Sequence, residues 1–150
     1  MKTEINYLFD VDGTLTPSRG VIEPNFAKWF LKFCKRKNVI LVTGSDRPKT
    51  LEQLGEDIYN SCKKVYNCSG NDVYVGDNQI KYNNWKLPIE VQQWLNFKLE
   101  HSPFELRTGL HFEDRTGMCN FSVVGRNANQ EERKQYYNYD CDTNERIKIA

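Results

Sequence analysis

Residues 5–16 read INYLFDVDGTLT, and the expectations for the rest of the chain start from this stretch. The apolar run of residues 5–9 stops at Asp10, a pattern typical of a buried strand. Asp10 and Asp12 stand two residues apart and are followed by Gly13, which permits a sharp turn. Open α/β sheets bind ligands beyond the carboxyl ends of their parallel strands. The stretch therefore predicts a core strand that ends at a ligand site.

Two further strands and two helices are predicted in the first half of the chain. Helices are expected to begin at Pro24 and Pro48, because proline fits the first turn of a helix, and residues 39–42 and 65–68 are the expected strands. The second helix is expected to run on to Ile58 as one element. This alternation predicts parallel strands with right-handed crossovers, the opening of a doubly wound sheet. Leu8 in the first strand is expected to be buried, since such strands are covered on both faces.

After residue 71 the pattern changes. Residues 73–82 predict a hairpin around Gly76-Asp77-Asn78, and residues 110–124 predict a second hairpin around Arg115-Thr116-Gly117. Helices are expected over residues 88–101 and 130–139. We therefore predict the fold class α/β, with an α/β core at residues 1–82 and an α+β module containing an antiparallel sheet at residues 83–150.

The composition excludes several classes of protein. The chain has 150 residues, with 21 Lys and Arg against 20 Asp and Glu, so its net charge of +1 gives no electrostatic case for a nucleic-acid or membrane partner. Aromatic residues make up 13% of the chain, which is typical of a folded core. The start of the chain is too polar for a signal peptide. Five cysteines, an odd number without a CxxC pair, favour reduced thiols and a cytoplasmic location.

The paired carboxylates carry the chemical prediction. Two acids at one place repel each other unless a cation lies between them, and a site of hard oxygen ligands suits Mg²⁺. Asp10 and Asp12 are therefore the predicted metal site, and Thr14 offers a hydroxyl and an N–H group to an anion. An Asx-turn or a helix cap explains most Asp-Gly pairs, but it does not explain two acids, a glycine and two threonines at the end of a core strand.

Asp10-x-Asp12-Gly13-Thr14 resembles the first motif of the haloacid dehalogenase superfamily of phosphotransferases. Further stretches resemble the eukaryotic-type phosphomannomutase branch of that superfamily. These are DVDGTLTPSR at residues 10–19, GSD at 44–46, EQLG at 52–55, RTGMCN at 115–120 with the following Ser122 and Gly125-Arg126, and QEER at 130–133. The resemblance extends over essentially the whole chain and implies a core with a cap domain.

The resemblance implies a role for each core residue. Asp10 would be the nucleophile that forms an aspartyl-phosphate, and Asp12 would be the general acid and base. The Asp10 carboxylate and the Asp12 backbone carbonyl would hold Mg²⁺. Either Thr43 or Ser45 would hydrogen-bond the transferring phosphoryl group, although both could instead cap the helix at Pro48.

The resemblance also implies a substrate grip of arginine and small polar side chains. Such a grip would hold the phosphate and hydroxyl groups of a hexose phosphate or hexose bisphosphate. Its members would be Arg19 from the core and Arg115, Asn120, Ser122, Arg126 and Arg133 from the cap. A homodimer through the cap is a further expectation.

Three functions stay open from the sequence. The first is a phosphomannomutase-like enzyme that interconverts mannose 6-phosphate and mannose 1-phosphate, and the second is a sugar-phosphate phosphatase with the same first half-reaction. The third is an inactive sugar-phosphate-binding fragment, because the superfamily's later lysine and acidic motifs do not occur in residues 1–150. On that basis the chain alone is expected to have little activity and to self-associate through its first strand.

Overall fold

The computed structural model describes residues 4–150 and divides between Trp85 and Lys86 into two compact units. The division lies three residues from the predicted boundary at 82/83, and the assignment of the units as core and cap stays a prediction. We call them unit 1 and unit 2.

Unit 1 is built on one mixed five-stranded sheet. Its elements in chain order are β1 (Asn6–Phe9), α1 (Pro24–Cys34), β2 (Asn38–Val42), α2 (Arg47–Leu54), α3 (Glu56–Ser61), β3 (Lys64–Asn67), β4 (Asp72–Val75) and β5 (Asn78–Tyr82). The sheet order is β1-β2-β3-β4-β5, in which β1, β2 and β3 are parallel while β4 and β5 add antiparallel. The predicted α/β class and its parallel strands are confirmed, and β1 is the sheet edge.

The core of unit 1 lies between the sheet and one helical layer. Phe9 of β1 packs edge-on against Phe30 of α1 with ring centroids 5.3 Å apart, and the buried cluster continues through Leu41 and Val65 to Tyr59 of α3. Because α1 and α3 cover one face, side chains of β1 alternate in burial. The prediction that Leu8 is buried is wrong, since 64% of this residue is exposed on the opposite face.

The predicted helix from Pro48 to Ile58 is two helices in the structure. Helix α2 ends at Leu54, and Gly55 follows with φ +81°, a conformation outside the helical range. Helix α3 then begins at Glu56. Leu54 of α2 and Ile58 of α3 are both buried.

Unit 2 combines one hairpin with three helices. Its elements are α4 (Ile89–His101), β6 (Phe112–Arg115), β7 (Met118–Phe121), α5 (Gln130–Thr143) and α6 (Glu145–Ile149). Strands β6 and β7 form a separate antiparallel sheet, so the predicted antiparallel hairpin is confirmed. Helix α5 begins with a capping box between Asn129 and Glu132 and buries Tyr136 against Val123 and Val124.

Candidate active site

The loop after β1 is tightly wound around one backbone carbonyl. Val11 is fully buried, and its carbonyl accepts from the N–H groups of Thr14, Leu15 and Thr16 at 3.2, 3.0 and 3.1 Å. Gly13 has φ +79°, and its N–H donates to the Thr16 carbonyl at 2.8 Å. This winding leaves Asp10 exposed and Asp12 half-buried, beyond the carboxyl end of β1.

Three donors from different segments hold the Asp12 carboxylate. The Arg19 backbone N–H and the Gln53 Nε2 donate to Oδ1 at 2.6 and 2.8 Å, and the Ser45 hydroxyl donates to Oδ2 at 3.4 Å. Burial raises the pKa of Asp12, but these hydrogen bonds and the nearby Arg19 charge outweigh it, so the pKa lies below its usual value. Asp12 is therefore an ionised carboxylate held in one orientation at neutral pH.

Gln53 is one of the site residues that the sequence analysis did not predict. It is fully buried in α2, and besides Asp12 its Nε2 lies 3.2 Å from both the Thr16 Oγ1 and the Gly20 carbonyl. A polar side chain next to Leu54 on the inner side of a helix needs a buried hydrogen-bond partner. The position of Gln53 in the sequence therefore indicated a contact of this kind. Gln53 thus fastens the loop after β1 to α2.

Thr43 and Ser45 follow β2, which is the strand next to β1 in the sheet. Both residues are buried. The Thr43 Oγ1 accepts from the Ser45 N–H at 3.1 Å, while the Ser45 hydroxyl reaches Asp12. Neither residue caps α2: the cap is Asp46, whose carboxylate accepts from the Lys49 N–H at 3.0 Å. The capping alternative for Thr43 and Ser45 is wrong, and Ser45 is the member of the pair that contacts the candidate acid and base.

Three of the predicted grip residues of unit 2 meet on one face of the β6–β7 hairpin. Arg115 Nη2 and Asn120 Nδ2 lie 3.2 and 3.3 Å from Glu113 Oε2, and Arg126 Nη2 lies 2.5 Å from the same oxygen. Burial raises the pKa of Glu113, but the charges of Arg115 and Arg126 outweigh it, and the pKa is lowered. Glu113 was not predicted as a site residue, yet it contacts three residues that were.

Ser122 directly follows β7, and Arg133 lies in the first turn of α5. The Ser122 hydroxyl accepts from the Gly125 N–H at 3.2 Å. The Arg133 guanidinium donates to the backbone carbonyls of Ala128 at 2.7 Å and Arg126 at 2.6 Å. Ser122, Arg126 and Arg133 also line a cavity of about 620 Å³ within unit 2. Of the remaining predicted residues, Arg19 contributes its backbone N–H to the loop after β1, as described above.

Two negative findings apply to residues 4–150. In that range no group of three or more His, Cys, Asp or Glu side chains is arranged to hold a metal ion. None of the helices described there is both long enough and apolar enough to cross a membrane.

Comparisons with known proteins give a family and a fold. The sequence model of the family described as eukaryotic phosphomannomutase matches residues 26–150. A phosphomannomutase from Spinacia oleracea is 34% identical over 145 residues, which cover 93% of this chain and 58% of the relative. One from Saccharomyces cerevisiae is 34% identical over 155 residues, covering 99% of this chain and 61% of the relative. The chain thus spans about 60% of the length of these curated relatives.

A solved structure supports the fold alone. A Plasmodium falciparum IMP-nucleotidase with bound IMP superposes with a TM-score of 0.51 at 14% identity, over 88% of this chain and 43% of that one.

Proposed function

Because the chain belongs to the eukaryotic phosphomannomutase family, we propose that the protein is a phosphotransferase that interconverts mannose 6-phosphate and mannose 1-phosphate. The observation that carries the proposal is the Asp12 carboxylate, held by Arg19, Gln53 and Ser45 beside the exposed Asp10. Purely structural carboxylates do not require an exposed partner two residues away at the end of a core strand.

The two carboxylates divide the chemistry. A carboxylate oxygen of Asp10 attacks the phosphorus atom, and an Asp10 oxygen–phosphorus bond forms while the bond from phosphorus to the sugar oxygen breaks. Asp12 gives the departing sugar oxygen the proton that it accepted from the attacking sugar hydroxyl in the preceding half-reaction. In the return step Asp12, now ionised, takes the proton from the sugar hydroxyl that attacks the aspartyl-phosphate. Its lowered pKa favours the second role, and the three hydrogen bonds keep it oriented for both.

The donor set of the site is compatible with Mg²⁺. Asp10 is an exposed carboxylate and Asp12 contributes a backbone carbonyl, and both are the hard oxygen ligands that Mg²⁺ prefers. Two protein ligands leave positions for water and phosphate oxygens, which is how Mg²⁺ is usually bound. When bound, the cation would neutralise charge on the phosphoryl group and lessen its repulsion of Asp10.

The grip residues are proposed to hold the phosphate and hydroxyl groups that are not reacting. Arg115, Arg126 and Asn120 already converge on one carboxylate, Glu113, and carboxylate and phosphate are both recognised by the planar fork of arginine. Arg19 would belong to the same grip, and Thr43 or Ser45 would hydrogen-bond the reacting phosphoryl group. A cytosolic location and a homodimer through unit 2 complete the proposal.

The test is phosphorylation of Asp10. Wild type and Asp10→Asn are incubated with a hexose bisphosphate and Mg²⁺, quenched in acid and examined by mass spectrometry for a phosphoryl group on residue 10. We expect the adduct in wild type and none in Asp10→Asn, because an amide is a poor nucleophile. The matched control is Asp57→Asn, the same change at an exposed site on α3, which should behave as wild type. Labelling of Asp10→Asn at the wild-type level would refute the assigned nucleophile.

A sugar-phosphate phosphatase is the second candidate, because the exposure of Asp10 also gives water access to an aspartyl-phosphate. Product analysis separates the two. A mutase converts mannose 6-phosphate to mannose 1-phosphate with no accumulation of free phosphate, whereas a phosphatase releases phosphate in step with substrate loss.

A further inference from the structure

Glu113 lies at the centre of the unit 2 grip. It is the direct cross-strand partner of Asn120, and Arg115 follows two residues later on the same face of β6. Arg126 reaches the same carboxylate from the segment after β7. Three side chains that donate hydrogen bonds, two of them cationic, therefore converge on a single oxygen, Glu113 Oε2.

The arrangement has the form of an occupied anion site. Two guanidinium groups repel each other unless an anion lies between them, and here the anion is a side chain of the same unit. Glu113 keeps 30% of its side-chain surface accessible, so its carboxylate can rotate away into solvent without unpacking the hairpin.

We propose that the Glu113 carboxylate is a resident anion of the Arg115–Arg126 pair, and that a dianionic phosphate group binds this pair by displacing it. The inference rests on the proposed function for the identity of the ligand as a phosphate group of a sugar. It assigns Glu113 as the residue that sets the phosphate affinity of this pair, a role that neither the motifs nor the resemblance assigned.

The selectivity follows from charge. Exchange of the Glu113 carboxylate for a ligand with one negative charge replaces one monoanion by another and gains little Coulomb energy. A phosphate dianion brings a second charge to the same two arginines, and the gain can offset the cost of releasing Glu113. The resident carboxylate thus sets a threshold that a ligand must exceed to bind the arginine pair, and a doubly charged ligand exceeds it more readily than a singly charged one.

The experiment measures phosphate binding at this cluster separately from turnover. Inorganic phosphate is titrated at about pH 8, where it is mainly dianionic, and the Arg115 and Arg126 Nε–Hε signals are followed by ¹⁵N NMR. The variants are Glu113→Gln and, as the matched control, Asp114→Asn, which removes the same charge from the exposed neighbouring residue of β6. A parallel titration uses dimethyl phosphate, a monoanion of similar shape.

We expect Glu113→Gln to bind phosphate about five- to twentyfold more tightly than wild type, because a like charge next to the ligand is removed. Asp114→Asn should change the affinity less than about twofold, since exposed charges are screened. Wild type should bind phosphate in preference to dimethyl phosphate, and Glu113→Gln should bind both anions more tightly, because either ligand must displace the same carboxylate in wild type. Unchanged or weaker phosphate binding by Glu113→Gln would refute displacement and show that Glu113 only positions the arginines.

A measurement on wild type alone covers the case in which Glu113→Gln does not fold. The Glu113 ¹³Cδ signal should shift during the phosphate titration with the same midpoint as the two arginine signals. A Glu113 signal that stays still while both arginine signals saturate contradicts the proposal. Phosphotransfer is tested at Asp10 and displacement at Glu113, so an absent aspartyl-phosphate with intact displacement refutes only the former, and the reverse result refutes only the latter.

Discussion

Replacement of Gln53 by glutamate should destabilise the protein strongly at neutral pH and much less in mild acid. The substitution keeps the size of the side chain but puts an oxygen where Nε2 now donates to Asp12 Oδ1 at 2.8 Å. The same position faces the Gly20 carbonyl at 3.2 Å, so an ionised glutamate would meet two acceptors and donate to neither.

The magnitude follows from the proton that the new carboxyl must take up. Residue 53 is fully buried, and a glutamate there folds only as the neutral acid, whose O–H can donate to Asp12. Holding a group with an unfolded-state pKa of about 4.3 in its neutral form costs about 3.7 kcal/mol at pH 7 and about 1 kcal/mol at pH 5. The sign is that of a carboxyl whose folded-state pKa is raised, so stability is recovered as the pH falls.

Urea unfolding followed by tryptophan fluorescence at pH 7 and pH 5, with EDTA present, measures the effect. From pH 7 to pH 5, the free energy of unfolding of Gln53→Glu should rise by about 2.7 kcal/mol relative to that of wild type. Gln53→Met, which loses the hydrogen bonds without adding a charge, should cost about 1.5–3 kcal/mol at both. Gln135→Glu, the same change at an exposed position, should cost little at either. Equal destabilisation by Gln53→Glu at pH 7 and pH 5, or none at pH 7, would refute the role of Gln53 as a donor to Asp12.

Three further predictions concern unit 2. Arg126→Ala should weaken binding of a hexose bisphosphate by about 1.5–3 kcal/mol in calorimetry, and unchanged binding would contradict its place in the grip. Arg133→Ala should lower the free energy of unfolding by about 1–3 kcal/mol, because its guanidinium holds two backbone carbonyls; a wild-type unfolding curve for this variant would contradict that role. Gly125→Ala should cost more than about 2 kcal/mol in thermal unfolding, since φ is +94° and the added Cβ would meet the Gly109 carbonyl; an unchanged melting temperature would be incompatible with that backbone. The lowered pKa of Glu113 predicts that wild type is more stable than Glu113→Gln above about pH 4.3, and that this difference is lost as the pH falls further. A difference that grows in acid would contradict this prediction.

The first half of the fold was predictable because its signals are local. The apolar run that stops at Asp10 places the end of β1, and Pro24 and Pro48 mark the first turns of α1 and α2. The exposed face at Leu8 was not predictable in this way. Whether a second layer covers that face depends on which elements pack there, and strand composition alone does not encode it.

In the candidate site, too, local sequence signals were predictable and contacts between distant segments were not. The sequence by itself determined the paired acids and the glycine that follows them, because two carboxylates and a glycine after a strand need no distant information. Only the tertiary structure decided which groups hold the carboxylates of Asp12 and Glu113. Gln53 is 41 residues from Asp12, and Arg126 reaches Glu113 from beyond the hairpin. Such partners are selected by how the elements pack, since burial of a polar group obliges the fold to bring it a donor or acceptor from wherever the chain passes.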